Sequence, residues 1–207
     1  PAQRDPFPIE ESIPAMNGRL FLQAHPFYPN YLADFHNRTR SENLNTHDRM
    51  IQGLAQDVAH SHLYAPKMAR HGFEGRLVVP NDLPSQRLWW TENVRTPVPE
   101  GPGAHFEILK AQIDTLRPEV LFLADPVSYP AAFLNALQHK PRLVVGWRAA
   151  DIPEGTDWRG FDLILSGLTG IREHAVKIGA KEAVSFHPGF DPGIIDRVIA
   201  ALDAADG

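Results

Sequence analysis

The sequence predicts an α/β protein built on a single doubly wound, mainly parallel sheet. Two observations support this fold class. Six short apolar segments rich in Val, Leu and Ile recur along the chain, and helical patterns separate most of them. These segments do not alternate apolar with polar residues, which is typical of parallel strands covered by helices on both faces. With 207 residues and 43% hydrophobic content, the chain can form one such domain.

The strands are expected in the segments RLFLQAHPF, GRLVVP, VLFLAD, RLVVGW, FDLILS and AVSFH. Helices are expected in YLADFHNRTRSE, THDRMIQGLAQDVAHSHLYAPKMARHG, AHFEILKAQIDTLRPE, PAAFLNALQ and LTGIREHAVKIG. In the second helical segment, Thr46 is a candidate N-cap, Pro66 a kink or a new first turn, and Gly72 a helix end. We interpret SQRLWWTEN and the proline-rich TPVPEGPG as one long connection.

The chain divides into three predicted regions. Residues 1–18 form a proline-rich N-terminal extension, residues 19–192 the Rossmann-like domain, and residues 193–207 the start of a helix that leads out of it. Because the chain begins at Pro1 and ends shortly after the elaborate loop HPGFDP, we expect that it is cut from a longer protein.

Composition argues against several classes of partner. The formal charge is −5 and Lys and Arg are scattered, so we expect no nucleic-acid binding. No run of about 18 apolar residues is present, so we expect no transmembrane segment. The chain has no cysteine, and His60 and His62 would point to different faces of a helix. We therefore predict no metal site.

The carboxyl ends of the strands are where a doubly wound sheet binds ligands, at the point where strand order reverses. The candidate positions follow each predicted strand: His25 to Asn30, Asn81, Asp82, Asp125, Trp147, Arg148, Ser166, Gly167 and His187. No G-x-G-x-x-G motif follows the first strand, so a dinucleotide-binding dehydrogenase loses its main support.

Two of these positions carry groups suited to acid–base chemistry. His25 opens the loop HPFYPNY, which also offers Tyr28 to stack on a sugar and Asn30 to bind hydroxyls. The alternative is a rigid turn whose aromatic rings cover the sheet edge. Asp125 ends the strand expected beside the first one and could act as a general base. Alternatively, it caps the next helix or bonds its own loop.

Arg148 could clamp a carboxylate or phosphate, or could pair with Asp151 or Glu154 in its own loop. The tryptophans of LWWTEN would mark a binding surface if exposed, or anchor the long connection if buried.

Several segments together resemble the N-terminal half of CgeB-like glycosyltransferases of the GT-B type. They are FYPNYLADFHNRTRSENLNTHDRMIQGLAQD, LPSQRLWWTEN, ILKAQIDTLRPEVLFLADP and FDLILSGLTGIREHAVKIGAKEAVSFHPGFDP. The resemblance implies an acceptor-binding domain that faces a second Rossmann-like domain across a cleft, in bacterial glycan or polysaccharide synthesis. The HPGFDP loop would be the crossover to that second domain.

The resemblance also implies site residues and partners. Asp125 or His25 would be the catalytic base, Tyr28, Asn30 and Arg148 would bind a sugar or glycan acceptor, and His187 would lie near the donor phosphates. No cofactor is expected beyond a nucleotide-sugar donor as co-substrate. Because the second domain would stabilise the departing nucleotide diphosphate, we expect the isolated chain to be inactive.

We expect a cytoplasmic location, with association at the inner face of the membrane as an open alternative. Two other functions also stay open. One is a non-catalytic module that binds glycan or protein, and the other is a stand-alone small-molecule binder or a relative of sugar epimerases.

Overall fold

The computed structural model describes residues 18–56 and 62–189, together with five residues near the C-terminus: Ile195, Val198, Ile199, Leu202 and Asp203. The six strands, numbered β1 to β6, are Leu20–Ala24, Glu74–Val78, Val120–Leu123, Leu143–Trp147, Leu163–Ser166 and Glu182–Ser185. Four of them lie within segments that the sequence predicts as strands, and β2 and β6 each begin one residue before the predicted segment.

Six α-helices and one 3₁₀ helix connect these strands within the described residues. The α-helices, numbered α1 to α6, are Pro29–Arg38, His47–Gln56, Leu83–Asn93, Ala104–Leu116, Ala131–Ala136 and Thr169–Lys177. The 3₁₀ helix is Ala65–His71 and precedes β2. Pro66 lies in its first turn, so this proline begins a new helix and does not kink α2.

All six strands are parallel and form one sheet in the order β2-β1-β3-β4-β5-β6. The chain moves from β1 to β2 on one side, and the remaining strands then add on the other side. The strand order therefore reverses between β1 and β3, which are hydrogen-bonded neighbours. This topology confirms the predicted doubly wound Rossmann-like fold and places its switch point at the ends of β1 and β3.

Both faces of the sheet are covered by helices, which explains why the central strands are mainly apolar, whereas the edge strands β2 and β6 also carry charged residues. One face packs Phe21 and Phe122 against side chains of α1, α2 and the 3₁₀ helix. The other packs Leu22 and Leu121 against α4, α5 and α6. Helix α3 contacts α2 and α4, which belong to opposite layers, and therefore lies along the β2 edge of the sheet.

The predicted end signals of the second helical segment are confirmed. The backbone N–H of Arg49 donates to Thr46 Oγ1 at 3.4 Å, and that of Met50 donates to the Thr46 carbonyl at 3.0 Å, so Thr46 caps α2. Gly72 ends the 3₁₀ helix with φ of 75°, a left-handed conformation that glycine adopts without steric cost.

The segment SQRLWWTEN is not a connection but the body of α3. Asp82 caps this helix by accepting a hydrogen bond from the Ser85 backbone N–H at 3.1 Å. Pro84 lies in the first turn, where its missing N–H is not needed. Trp89 is buried and Trp90 Nε1 donates to the Thr96 carbonyl at 3.0 Å, so these tryptophans anchor α3 and the loop after it.

The two predicted terminal regions lie almost wholly outside the described residues. The extension at 1–18 is described at Gly18 alone, and in the region 193–207 the five described residues are helical. Within the described ranges, no helix combines the length and the apolar character needed to cross a lipid bilayer.

Candidate functional site at the sheet switch point

The ends of β1 and β3 place His25 and Asp125 at the switch point. The Ala124 backbone N–H donates to the Ala24 carbonyl at 3.0 Å, so the two strands stay paired to their last residues. His25 directly follows β1, and Asp125 lies two positions after the last residue of β3. The structure therefore places the two predicted catalytic residues after neighbouring strand ends on the carboxyl edge of the sheet.

The loop after β1 is packed beneath its own aromatic rings. The His25 backbone N–H donates to the Val78 carbonyl at 3.0 Å, and its imidazole meets Phe27 edge-on with ring centroids 5.5 Å apart. The His25 residue is 9% exposed. The imidazole is therefore almost wholly buried beside Phe27.

Asn81 holds this loop from the end of β2. Its Nδ2 donates to the Phe27 carbonyl at 2.7 Å, and its Oδ1 accepts from the Phe27 backbone N–H at 3.0 Å. Tyr28 is 77% exposed at the N-cap of α1, and Asn30 is exposed in its first turn. The two Asn81 hydrogen bonds thus fix the loop that leads to Tyr28 and Asn30, whose aromatic ring and amide are exposed to solvent.

Asp125 bonds within its own loop, as the sequence allowed. Its Oδ2 accepts a hydrogen bond from Ser128 Oγ at 2.6 Å, which uses one of its two carboxylate oxygens. The pKa of neighbouring Tyr129 is raised, first by burial and then by the negative charge of Asp125. Asp125 itself is half-buried and lies at the mouth of the switch point.

Arg148 follows β4, one strand beyond Asp125, and folds back on its own loop. Its Nε donates to the Ala150 carbonyl at 2.9 Å and its Nη2 donates to the Asp151 carbonyl. These partners are backbone groups and not the Asp151 carboxylate. The guanidinium therefore supports the loop after β4. To bind a carboxylate or phosphate of a ligand, Arg148 would have to give up these hydrogen bonds.

His187 lies apart from the other predicted site residues. It follows β6 at the far edge of the sheet and is exposed. A Cβ built on Gly167 would lie 3.3 Å from His187 Nδ1, so the imidazole rests against the loop after β5. Three strand spacings separate β6 from β3, a distance on the order of 14 Å.

A buried glutamine in β1, which the sequence analysis did not identify, holds the backbone of the segment that leads into the 3₁₀ helix. Gln23, inside β1, is fully buried, and its Oε1 accepts from the backbone N–H groups of Tyr64 and Ala65 at 2.8 and 2.9 Å. Its Nε2 donates to the His62 carbonyl at 2.6 Å. A glutamine within an otherwise apolar strand is the signal that could have found this anchor.

A second feature, also missed, is a cavity of about 730 Å³ on the β2 edge, away from the switch point. Helices α2 and α3, the 3₁₀ helix, β2 and the end of α4 surround it. Among the described residues, no group of three or more His, Asp or Glu side chains could hold a metal ion.

Comparison of the chain with protein-family models, curated proteins and solved structures gives no match.

Proposed function

We propose that the chain is the acceptor-binding half of a nucleotide-sugar-dependent glycosyltransferase of the GT-B type, in bacterial glycan or polysaccharide synthesis. The observation that supports it best is the placement of His25 and Asp125 at the switch point of an all-parallel sheet. Exposed Tyr28 adds an aromatic surface of the kind that stacks on sugar rings. The reaction class comes from the resemblance to CgeB-like glycosyltransferases.

In this proposal Asp125 is the general base. Its carboxylate takes the proton of an acceptor hydroxyl while that oxygen bonds to the anomeric carbon of the donor sugar, and the nucleotide diphosphate leaves with the bonding electrons. Ser128 Oγ orients the carboxylate through its 2.6 Å hydrogen bond. His25, which is 9% exposed, is the other candidate base.

The proposal also requires a partner. A second Rossmann-like domain would bind the nucleotide sugar and face the carboxyl edge of this sheet. His187, at the β6 end of that edge, is proposed to approach the donor phosphates. The cytoplasm is the proposed location, with the inner face of the membrane as the alternative.

Ligand titration of the ¹⁵N-labelled chain by NMR tests the acceptor role. Mono- and oligosaccharides should shift the amides of residues 25–31 and 124–128, and UDP-glucose or GDP-mannose should not. Tyr28→Ala should abolish the sugar-induced shifts, whereas Val176→Ala, which removes an exposed apolar side chain from α6, should leave them unchanged. Nucleotide sugars that bind tightly at residues 25–31 would contradict the proposal.

A non-catalytic module that binds glycan or protein is the second candidate. It is favoured by the internal bonds of the predicted site: His25 is buried, Asp125 bonds Ser128, and Arg148 bonds its own loop.

Transfer rates in a protein that carries both domains discriminate between the two candidates. If Asp125 is the base, Asp125→Asn should slow transfer about 100-fold or more. Ser128→Ala retains the carboxylate and should cost much less. A rate unchanged by Asp125→Asn, His25→Ala and their combination would favour the module.

A further inference from the structure

The cavity on the β2 edge has the size and the walls of a small-molecule site. Its volume of about 730 Å³ lies within the range of roughly 300–1,000 Å³ that is usual for ligand pockets. One wall is apolar and is formed by the side chains of Ile51, Leu77, Trp89 and Leu116. Trp89 is 4% exposed and so offers a fixed aromatic wall. An apolar group of a ligand would be buried there.

The edge strand adds backbone groups to this cavity. The Glu74 backbone N–H and the Val78 carbonyl pair with residues at the two ends of β1. Because backbone groups alternate in direction along a strand, those of Gly75 and Leu77 point away from β1. Both residues line the cavity, and β2 is the last strand on this side of the sheet.

The charged side chains around the cavity are mainly hydrogen-bond acceptors. Glu92 Oε1 accepts from the His47 backbone N–H at 2.8 Å, which uses one oxygen of the carboxylate. Asp48 supplies a second carboxylate. The cation Arg76 is already paired, because its Nε lies 2.6 Å from Glu74 Oε1. The cavity walls therefore favour a positively charged ligand.

His47 supplies an acceptor that has no partner among the described residues. The residue is 7% exposed, it lines the cavity, and its Nε2 is buried without a hydrogen bond. Burial lowers the pKa of this imidazole, and the nearby Asp48 carboxylate raises it by less. The pKa is therefore below its usual value, and the ring is neutral near pH 7. Nδ1 lies 3.6 Å from Asp48 Oδ1, which favours the proton on Nδ1 and leaves Nε2 as an acceptor.

We propose that this cavity binds an organic cation: a protonated amine that carries an aromatic or branched aliphatic group. The ammonium group donates hydrogen bonds to Glu92, the neutral ring of His47 adds no opposing positive charge, and the apolar group packs against Trp89 and Leu77. This site is separate from the switch point and does not depend on the glycosyltransferase proposal.

Three probes of similar size and different charge test the proposal: 2-phenylethylammonium, 2-phenylethanol and 3-phenylpropionate. Titrated into the ¹⁵N-labelled 207-residue chain, the ammonium should give saturable NMR shifts in residues 47–56, 75–78 and 89–93, with a Kd below about 1 mM. The alcohol should bind more weakly and the carboxylate should give no saturable shift. The ¹⁵N resonance of His47 Nε2 should move with the ammonium alone.

Two variants separate binding from folding. Glu92→Gln keeps an oxygen that can accept the hydrogen bond from the His47 backbone N–H. It should weaken ammonium binding about tenfold, the effect expected for loss of one charge-assisted hydrogen bond. Ala55→Met adds volume at the cavity wall without changing charge and should abolish binding. Glu107→Gln, an exposed carboxylate on α4, is the matched control and should bind as the wild type.

Equal binding of the ammonium and the carboxylate would overturn the proposal, as would an unchanged Kd in both Glu92→Gln and Ala55→Met. The absence of saturable shifts at about 10 mM ammonium would overturn it as well.

Discussion

The switch point and the cavity on the β2 edge use polar side chains in opposite ways. Around the switch point, Asp125 after β3, Asn81 after β2 and Arg148 after β4 form hydrogen bonds that fix their own or a neighbouring loop. At the cavity, His47 Nε2 has no hydrogen-bond partner among the described residues, and Glu92 accepts a hydrogen bond from the His47 backbone N–H with one carboxylate oxygen. Substitutions at the switch point should therefore change stability, whereas those at the cavity should mainly change binding and the response to pH.

The largest expected effect is the loss of Trp158, the buried side chain that supports the loop after β3. Its Nε1 donates to the Pro126 carbonyl at 3.0 Å, and the side chain is fully buried. Trp158→Ala should lower the free energy of unfolding by about 3–5 kcal/mol. Trp158→Phe keeps most of the packing and loses the hydrogen bond, so it should cost clearly less. Urea unfolding measures both, and equal losses in the two variants would contradict this assignment.

A smaller effect is expected for the Asn81 clamp on the loop after β1. Asn81→Ala removes both hydrogen bonds to Phe27 and should cost about 1–2 kcal/mol. Asn81→Asp keeps the acceptor for the Phe27 N–H and should retain part of this stability. Hydrogen exchange of the Phe27 amide should accelerate in the alanine variant. Unchanged exchange would show that the loop is held by other contacts.

The smallest effect concerns the pH dependence of stability at His47. Because burial lowers the folded-state pKa of this imidazole, the unfolded chain binds a proton first as the pH falls below about 6.5. The stability contributed by the neutral ring is present above that pH and decreases below it. For one proton the slope cannot exceed about 1.4 kcal/mol per pH unit. The carboxylates of Asp48 and Glu92 oppose the lowering of this pKa and so moderate the slope, whereas the charge of Arg76 lowers the pKa further.

The difference between wild type and His47→Gln in urea unfolding from pH 7.5 to 5 isolates this contribution. His62, whose pKa burial also lowers, is common to both proteins and cancels. A difference that is independent of pH would contradict the neutral, buried imidazole.

The sequence predicts the sheet well because strand signals are local. Mainly apolar segments mark the central strands, the edge strands β2 and β6 keep a shorter apolar run, and the neighbouring positions of β1 and β3 follow from doubly wound topology. Helix α3 was missed because Leu88, Trp89 and Trp90 are consecutive and give no one-sided apolar stripe. Asp82 followed by Pro84 was the local signal that could have identified its start.

The two regions differ in how far the sequence could predict them. The sequence could place His25 and Asp125 at neighbouring strand ends, because each follows one of two strands that doubly wound topology predicts to be adjacent. The cavity could not be predicted, because it forms where α3 lies along an edge strand and brings Glu92 to the first residue of α2, 45 positions earlier. Hydrogen bonds over such sequence separations follow from tertiary packing and leave no periodic pattern in the chain.

The most direct measurement is one NMR experiment on a single ¹⁵N-labelled sample, titrated first with an acceptor oligosaccharide and then with 2-phenylethylammonium. Two sites of different chemistry should give two separate sets of shifted amides, residues 25–31 and 124–128 for the sugar and residues 47–56, 75–78 and 89–93 for the amine. Competition between the two ligands for one set of amides would contradict the division of the molecule into these two regions.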